Sequence, residues 1–144
     1  MDEEDELFQR IIEEATGDPV SRVYQELGRE LFSAADIGRA LAARDPDERA
    51  FLALVMCTAE IDNGGFEQLF ANSSDAIAQH GAEGAERFGL PEHARIVRTA
   101  SQRWVELTGV DRDAALSSLD EQWYGLSGEL QRRLLDFAEQ PPRS

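Results

Sequence analysis

The chain has 144 residues, of which 29 are acidic and 14 basic, so its formal net charge is −15. All 14 basic residues are arginine, which excludes the lysine of a phosphate-binding loop and a lysine Schiff-base nucleophile. The acidity argues against direct binding to nucleic acid or to an anionic membrane surface, because both are negatively charged themselves. The single cysteine, Cys57, excludes an internal disulfide, and we expect a cytoplasmic protein.

Apolar residues recur every three or four positions along most of the chain, which indicates amphipathic helices. No stretch alternates with period two for long enough to predict a strand. We therefore predict a single compact all-α domain of roughly eight or nine helices, several of them short. Residues 1–18 are predicted to form an acidic arm and first helix, residues 19–138 the helical domain, and residues 139–144 a disordered tail.

The first helices are predicted from apolar residues at helical spacing and from residues that can cap a helix. An apolar stripe over residues 7–15 defines the first helix, which ends at Gly17. Asp18-Pro19 then supplies the cap and the first-turn proline of the second helix. A short third helix covers residues 36–43.

The clearest start signal is Asp45-Pro46, which precedes an almost entirely apolar run over residues 51–59. This run predicts the central buried helix, with Cys57 as a core residue. Gly64-Gly65 is expected to break that helix, because two consecutive glycines favour turns and left-handed caps.

Beyond this break, further helices are predicted to begin at Phe66, near residues 73–75, at Pro91, at Asp111 and at Ser127. The helix that starts at Asp111 is predicted to be a short piece reaching residue 119, with residues 123–124 following it.

Patterns typical of catalysis or metal binding are missing from the sequence. Neither His80 nor His93 belongs to a zinc motif, and neither follows a glutamate at the spacing of a di-iron bundle. His80 and Glu83 are interpreted as a solvated pair. We predict no catalytic residue, no metal site and no cofactor.

The most specific local signal lies in residues 60–72, where amides surround a glycine pair and aromatic residues. The residues singled out there are Glu60, Asn63, Gly64, Gly65, Phe66, Gln68 and Asn72. In the structural interpretation, the glycines let two helices meet and the amides satisfy exposed backbone groups at the corner. In the alternative, the same corner is a small pocket that faces a partner or a ligand.

The acidic excess is uneven along the chain. Residues 1–18 hold eight acids and one arginine, a net charge of −7, and residues 19–144 carry −8. The total of −15 corresponds to roughly 25 Å of duplex DNA, while a domain of this length has a radius of gyration of about 14–15 Å. Such an excess of acidic residues can form a solvated face that aids solubility, or a surface that attracts a basic protein. The acids expected to contact such a partner are Glu3, Glu4, Asp5, Glu6, Glu13 and Glu14, followed by Asp45, Asp47 and Glu48.

A family resemblance adds to this interpretation. Residues 63–74 read Asn63-Gly64-Gly65-Phe66-Glu67-Gln68-Leu69-Phe70-Ala71-Asn72-Ser73-Ser74. This stretch resembles the signature of a bacterial family named for a DNA-mimic protein, most of whose members are of unknown function. The resemblance extends upstream to Glu60 and weakly to residues 118–124, covers residues 20–138, and departs at Leu69, where a tyrosine is expected. It implies an all-α fold and, for the name-giving member, an acidic dimer that occupies the DNA-binding surface of a helix-turn-helix repressor.

Three functions remain open at this point. The leading hypothesis is a non-enzymatic acidic protein that binds the basic surface of a DNA-binding protein, such as a helix-turn-helix transcription factor, by mimicking the charge of DNA. It would keep DNA off that surface and could act as a homodimer. The second is an inhibitor or immunity protein against a toxin or nuclease. The third is an enzyme or small-ligand binder centred on Glu60, Asn63, Gln68 and Asn72.

Overall fold

The computed structural model describes residues 18–73 and 75–140, which form seven α-helices, one 3₁₀ helix and no strand. The predicted all-α class is therefore confirmed, while the predicted helix before Gly17 and residues 141–144 of the predicted 139–144 tail lie outside the described residues. The helices are α1 (Pro19–Gly28), the 3₁₀ helix (Leu31–Ser33), α2 (Ile37–Ala42), α3 (Pro46–Asn72), α4 (Asp75–Arg87), α5 (Pro91–Glu106), α6 (Gly109–Gly125) and α7 (Ser127–Ala138).

Aspartate caps begin the early helices where the sequence predicts them. Asp18 and Asp45 each accept a backbone hydrogen bond of 3.1 Å from the first turn of α1 and α3, respectively. Pro19 and Pro46 occupy the first helical position after each cap. Asp36 caps α2 in the same way, also at 3.1 Å. These side chains satisfy N–H groups that have no partner within the helix itself.

The central helix is α3, as the apolar run predicts. Residues 50–54 are buried on all sides, and α3 contacts each of the other six α-helices. Cys57 is also buried, and its Sγ atom lies 3.8 Å from the carbonyl oxygen of Ile77 on α4. The prediction that Cys57 is a core residue is therefore confirmed. Burial, with a smaller contribution from the charge of Glu60, raises the pKa of the Cys57 thiol to about 12.

We expect Cys57 to resist modification by an aromatic disulfide reagent in the folded protein at neutral pH. The thiolate is the reactive form, and both burial and the raised pKa work against it. The measurement is the rate of thiol release with and without denaturant, and the denatured chain, which should react fully, is the control. Rapid reaction of the folded protein would contradict this burial.

The predicted break at Gly64-Gly65 is confirmed as a kink inside α3. Gly64 leaves the helical region at φ −157° and ψ 20°, and Gly65 follows at φ 74° and ψ −173°. A positive φ with ψ near 180° is accessible to glycine and almost no other residue. Helical geometry resumes at Phe66, so α3 consists of two helical segments joined at this pair.

One predicted boundary is wrong. The short piece expected from Asp111 to residue 119 belongs to a continuous helix, α6, whose N-cap is Thr108. Leu116, Leu119 and Trp123 are all buried, and their spacing of three and four residues continues one apolar face through the expected gap.

Candidate functional site

The segment singled out in the sequence spans the kink of α3. Gln68 Nε2 donates a hydrogen bond to Glu60 Oε2 at 2.9 Å, and Asn72 Nδ2 donates to the same oxygen at a longer 3.5 Å. A Cβ atom on Gly64 would lie 2.3 Å from Gln68 Oε1, so this glycine leaves the space through which Gln68 reaches the carboxylate. Asn63 is exposed, and its side chain forms no hydrogen bond within residues 18–73 and 75–140. The predicted centre therefore contains Glu60, Gln68 and Asn72 without Asn63.

The prediction that amides satisfy the backbone at this corner is wrong. The backbone N–H of Phe66 donates to Asp120 Oδ1 at 2.8 Å, and the Tyr124 hydroxyl donates to the carbonyl oxygen of Ile61 at 2.6 Å. Both partners lie on α6, whereas the amides of α3 donate to a side chain. Asp120 acts as the cap of the helical segment that begins at Phe66. Sequence reasoning missed both α6 residues, and its only signal was the weak resemblance at residues 118–124.

Aromatic packing fixes α6 against the kink. The buried Phe66 ring meets Trp123 edge to face, with centroids 5.8 Å apart. Trp123 also meets His93, with centroids 5.3 Å apart, and His93 Nε2 lies 2.9 Å from the carbonyl oxygen of Leu126. Leu69, the departure from the family signature, is fully buried in the same core. The glycine motif and His93 thus have structural roles.

An acidic corner, defined as Asp62, Glu67 and Asp120, surrounds the kink. The pKa of Asp120 is raised above its usual value. Burial is the largest cause and the charge of Glu67 adds to it, while the hydrogen bond from Phe66 acts in the opposite direction. Burial, then the charges of Asp120 and Asp62, raise the pKa of the neighbouring Tyr124 hydroxyl. In the part of the chain that the structure describes, no arginine pairs with these three carboxylates.

The nine acids predicted to bind a partner do not include the acidic corner. Six of them lie outside the described residues: Glu3, Glu4, Asp5, Glu6, Glu13 and Glu14. The remaining three lie at the start of α3 and already interact within the chain. Asp45 caps the helix, Asp47 pairs with Arg87, and Glu48 lies 3.8 Å from Arg44.

His80 and Glu83 form the predicted pair, with His80 Nδ1 3.8 Å from Glu83 Oε2. The prediction of a fully solvated pair is wrong, because the His80 side chain is only 18% exposed, whereas Glu83 is 62% exposed.

Within the described ranges, no group of three His, Cys, Asp or Glu side chains is arranged to hold a metal ion. No helix in those ranges combines the length and the apolar character needed to cross a membrane.

A groove of about 570 Å³ opens beside the segment, on the side where Glu60 and Asn72 lie. Residues of α1, α2, the 3₁₀ helix and α4 complete its lining. Tyr24 and Phe32 meet edge to face in its wall, with ring centroids 5.2 Å apart. Burial, followed by the charge of Glu60, raises the pKa of Tyr24 to about 12. The structure therefore places the Glu60 carboxylate in a groove with aromatic walls.

Among known families, the model described as DMP19-like protein matches residues 42–140, which is more than half of the chain. The chain belongs to the DMP19-like protein family. No curated protein and no solved structure shows significant similarity to it. The matched range contains all of α3, including the kink, together with the acidic corner.

This match corrects the resemblance described from the sequence. There the family was identified as a DNA-mimic-protein family covering residues 20–138, and that description is wrong. The family shown is the DMP19-like one, its match begins at residue 42, and its description says nothing about DNA. Membership in the DMP19-like family therefore identifies the relatives of this chain without assigning it an activity.

Proposed function

We propose that the protein is a non-enzymatic, cytoplasmic acidic protein that binds the basic surface of a DNA-binding protein by mimicking the charge of DNA, and so keeps DNA from that surface. The observation that carries the proposal is the uncompensated negative charge. The described residues include 22 acids and 12 arginines, a net charge of −10, and residues 1–17 add seven acids and one arginine. A surface with this excess attracts cationic macromolecules.

The distribution of ion pairs supports the acidic corner as part of that surface. The arginine–carboxylate pairs of the described residues involve the start of α3, α4 and α5. They are Arg44–Glu48, Arg87–Asp47, Arg98–Glu86, Arg95–Glu92 and Arg103–Glu106. Asp62 and Glu67 are exposed, and no arginine of residues 18–73 or 75–140 pairs with either. Their negative charge therefore remains available to an incoming cation.

The strength of such binding comes from several acids acting together. A single exposed ion pair contributes only about 0–1 kcal/mol and is screened by salt. Electrostatic complementarity acts most strongly on the association rate and on the choice of partner. The proposal therefore requires a partner affinity that falls steeply with ionic strength.

DNA competition at two salt concentrations tests the proposal. Proteins captured from host extract are purified, and each is bound to fluorescently labelled DNA. Adding the acidic protein should displace the DNA at about 0.05 M NaCl, and the competing affinity should fall tenfold or more at about 0.5 M NaCl. A captured protein that binds equally well at both salt concentrations, or whose DNA stays bound, contradicts the proposal.

A charge-matched pair of variants locates the surface. The double variant Asp62→Asn/Glu67→Gln removes two charges from the acidic corner. The control Glu30→Gln/Glu139→Gln also removes two charges, one at the exposed position just before the 3₁₀ helix and one at the exposed position just after α7. We expect the first to weaken competition about tenfold and the second less than threefold. Equal losses would show that only net charge matters and would remove the acidic corner from the proposed surface.

A further inference from the structure

The groove beside Glu60 combines an apolar wall with one oriented carboxylate. Ile37, Met56 and Ile77 line it together with the Tyr24–Phe32 pair. Phe32 is 48% exposed, so its ring is accessible from solvent. Such a wall suits the hydrocarbon part of a ligand.

Glu60 supplies the polar end of the groove. Its Oε2 atom accepts the hydrogen bonds from Gln68 and Asn72, which hold the carboxylate in one orientation. Both donors are neutral, so they leave the negative charge in place. Within the described part of the chain, Glu60 Oε1 accepts no hydrogen bond and no arginine pairs with the carboxylate.

These features determine which chemical class of ligand the groove can bind. An anion would be repelled by Glu60 and by Asp36, which lies at the same groove. A purely apolar occupant would bury Glu60 Oε1 without a partner. A cation on a hydrocarbon stem satisfies both ends of the groove. A planar guanidinium also stacks on aromatic rings and is more weakly hydrated than an ammonium group, which favours arginine over lysine.

We propose that this groove binds an arginine side chain of a partner protein, with the guanidinium donating to Glu60 Oε1 and the stem lying along the apolar wall. The groove volume of about 570 Å³ exceeds that of one side chain, so residues flanking the arginine also enter it. The inference rests on the proposed function, because the basic surface of the partner supplies the arginine.

Titration followed by ¹H–¹⁵N NMR tests the site with small probes. N-acetyl-arginine amide is compared with N-acetyl-citrulline amide, which has nearly the same shape without the charge. We expect the arginine compound to shift the side-chain amide resonances of Gln68 and Asn72, and the citrulline compound to bind at least tenfold more weakly. Equal binding of both compounds would indicate an apolar occupant, and resonance shifts that depend on protein concentration alone would indicate a second copy of the chain. Either result overturns the inference.

Matched variants distinguish the effect of the Glu60 carboxylate on binding from the effect of net charge. Glu60→Gln should weaken binding of the arginine compound at least tenfold, whereas Glu129→Gln, which removes one exposed charge on α7, should change it less than twofold. Phe32→Ala, at a half-exposed position, should weaken binding several-fold by removing the aromatic wall. Unchanged binding in Glu60→Gln, with the fold verified by circular dichroism, overturns the inference.

The same variants distinguish this inference from the proposed function. If the protein displaces DNA from a partner in a salt-dependent way but Glu60→Gln competes as well as Glu129→Gln, the arginine site is refuted alone. If the arginine compound binds at Glu60 but no captured protein loses its DNA, the proposed function is refuted and the guanidinium site stands without its proposed partner.

Discussion

The Gly65→Ala variant is expected to lower the free energy of unfolding by about 3 kcal/mol or more. Gly65 has φ 74° and ψ −173°, a conformation that an alanine adopts only with strain. An added Cβ would also lie 2.5 Å from Asp120 Oδ2 and 3.0 Å from its Cγ. The new methyl group would therefore push away the carboxylate that caps the second segment of α3. Urea denaturation followed by tryptophan fluorescence measures the change.

Gly128→Ala is the matched control. Gly128 lies within α7, and its φ is not positive. A Cβ atom added there would have no atom outside the local backbone within 4 Å. We expect this variant to be neutral or more stable by up to about 1 kcal/mol, because alanine favours a helix more than glycine does. A Gly65→Ala variant as stable as Gly128→Ala would refute the kink described here.

The Asp120→Ala variant is expected to lower the free energy of unfolding by about 2 kcal/mol. The substitution leaves the Phe66 N–H, now bound at 2.8 Å, without its acceptor at the start of a helical segment. Asp120→Asn retains an oxygen acceptor and should cost about 1 kcal/mol or less. If both variants lose the same stability, the hydrogen bond to Phe66 is not the reason for the loss.

The pH dependence of stability gives Asp120 a second signature. Its pKa is raised in the folded protein, by burial first, so the folded state binds this proton more tightly than the unfolded state. The part of its contribution to stability that is linked to this proton is therefore fully present below the ordinary pKa of about 3.9 and is lost as the pH rises through the folded value, whereas the hydrogen bond to Phe66 remains. Asp120→Asn removes this contribution. The stability of the unaltered protein should accordingly fall relative to that of the variant as the pH rises through this range, and the opposite trend would contradict the direction of the shift.

The two substitutions should not be additive. Asp120→Ala removes the carboxylate that an alanine at position 65 would meet, but the strained backbone remains. The double variant should therefore lose less stability than the sum of the single losses.

Features that depend on neighbouring residues were predictable from the sequence. The cap and proline at Asp45-Pro46, the apolar run over residues 51–59 and the break at Gly64-Gly65 all appear in α3 as expected. Each is set by interactions within a few residues of the chain, which helical spacing and backbone conformation reveal directly.

Contacts between helices were not predictable in this way. Phe66 and Asp120 are 54 residues apart, and Ile61 and Tyr124 are 63 apart, so no local pattern connects them. Periodicity identifies the apolar face of a helix but does not identify the helix that it packs against. A pocket at the Glu60 corner was one of the alternatives left open by the sequence, but its aromatic wall was not predictable, since Tyr24 and Phe32 belong to other helices.

The acids expected to contact a partner stay a prediction, but two of them already have ion-pair partners within the chain. Asp47 and Glu48 were chosen as acids without regard to the arginines that pair with them. Arg44 precedes Glu48 by only four residues and lies in the turn just before α3, so this pair was visible in the sequence. Arg87 reaches Asp47 from α4, which only the fold reveals.

The cap that α6 provides for α3 also makes one amide a reporter of helix docking. Most helical N–H groups exchange with deuterium when their own helix frays, because their acceptors lie four residues away. The Phe66 N–H has its acceptor on α6, so its exchange measures the detachment of α6 from α3. Slowed exchange at this single position in the presence of a candidate partner would show that binding clamps the two helices together.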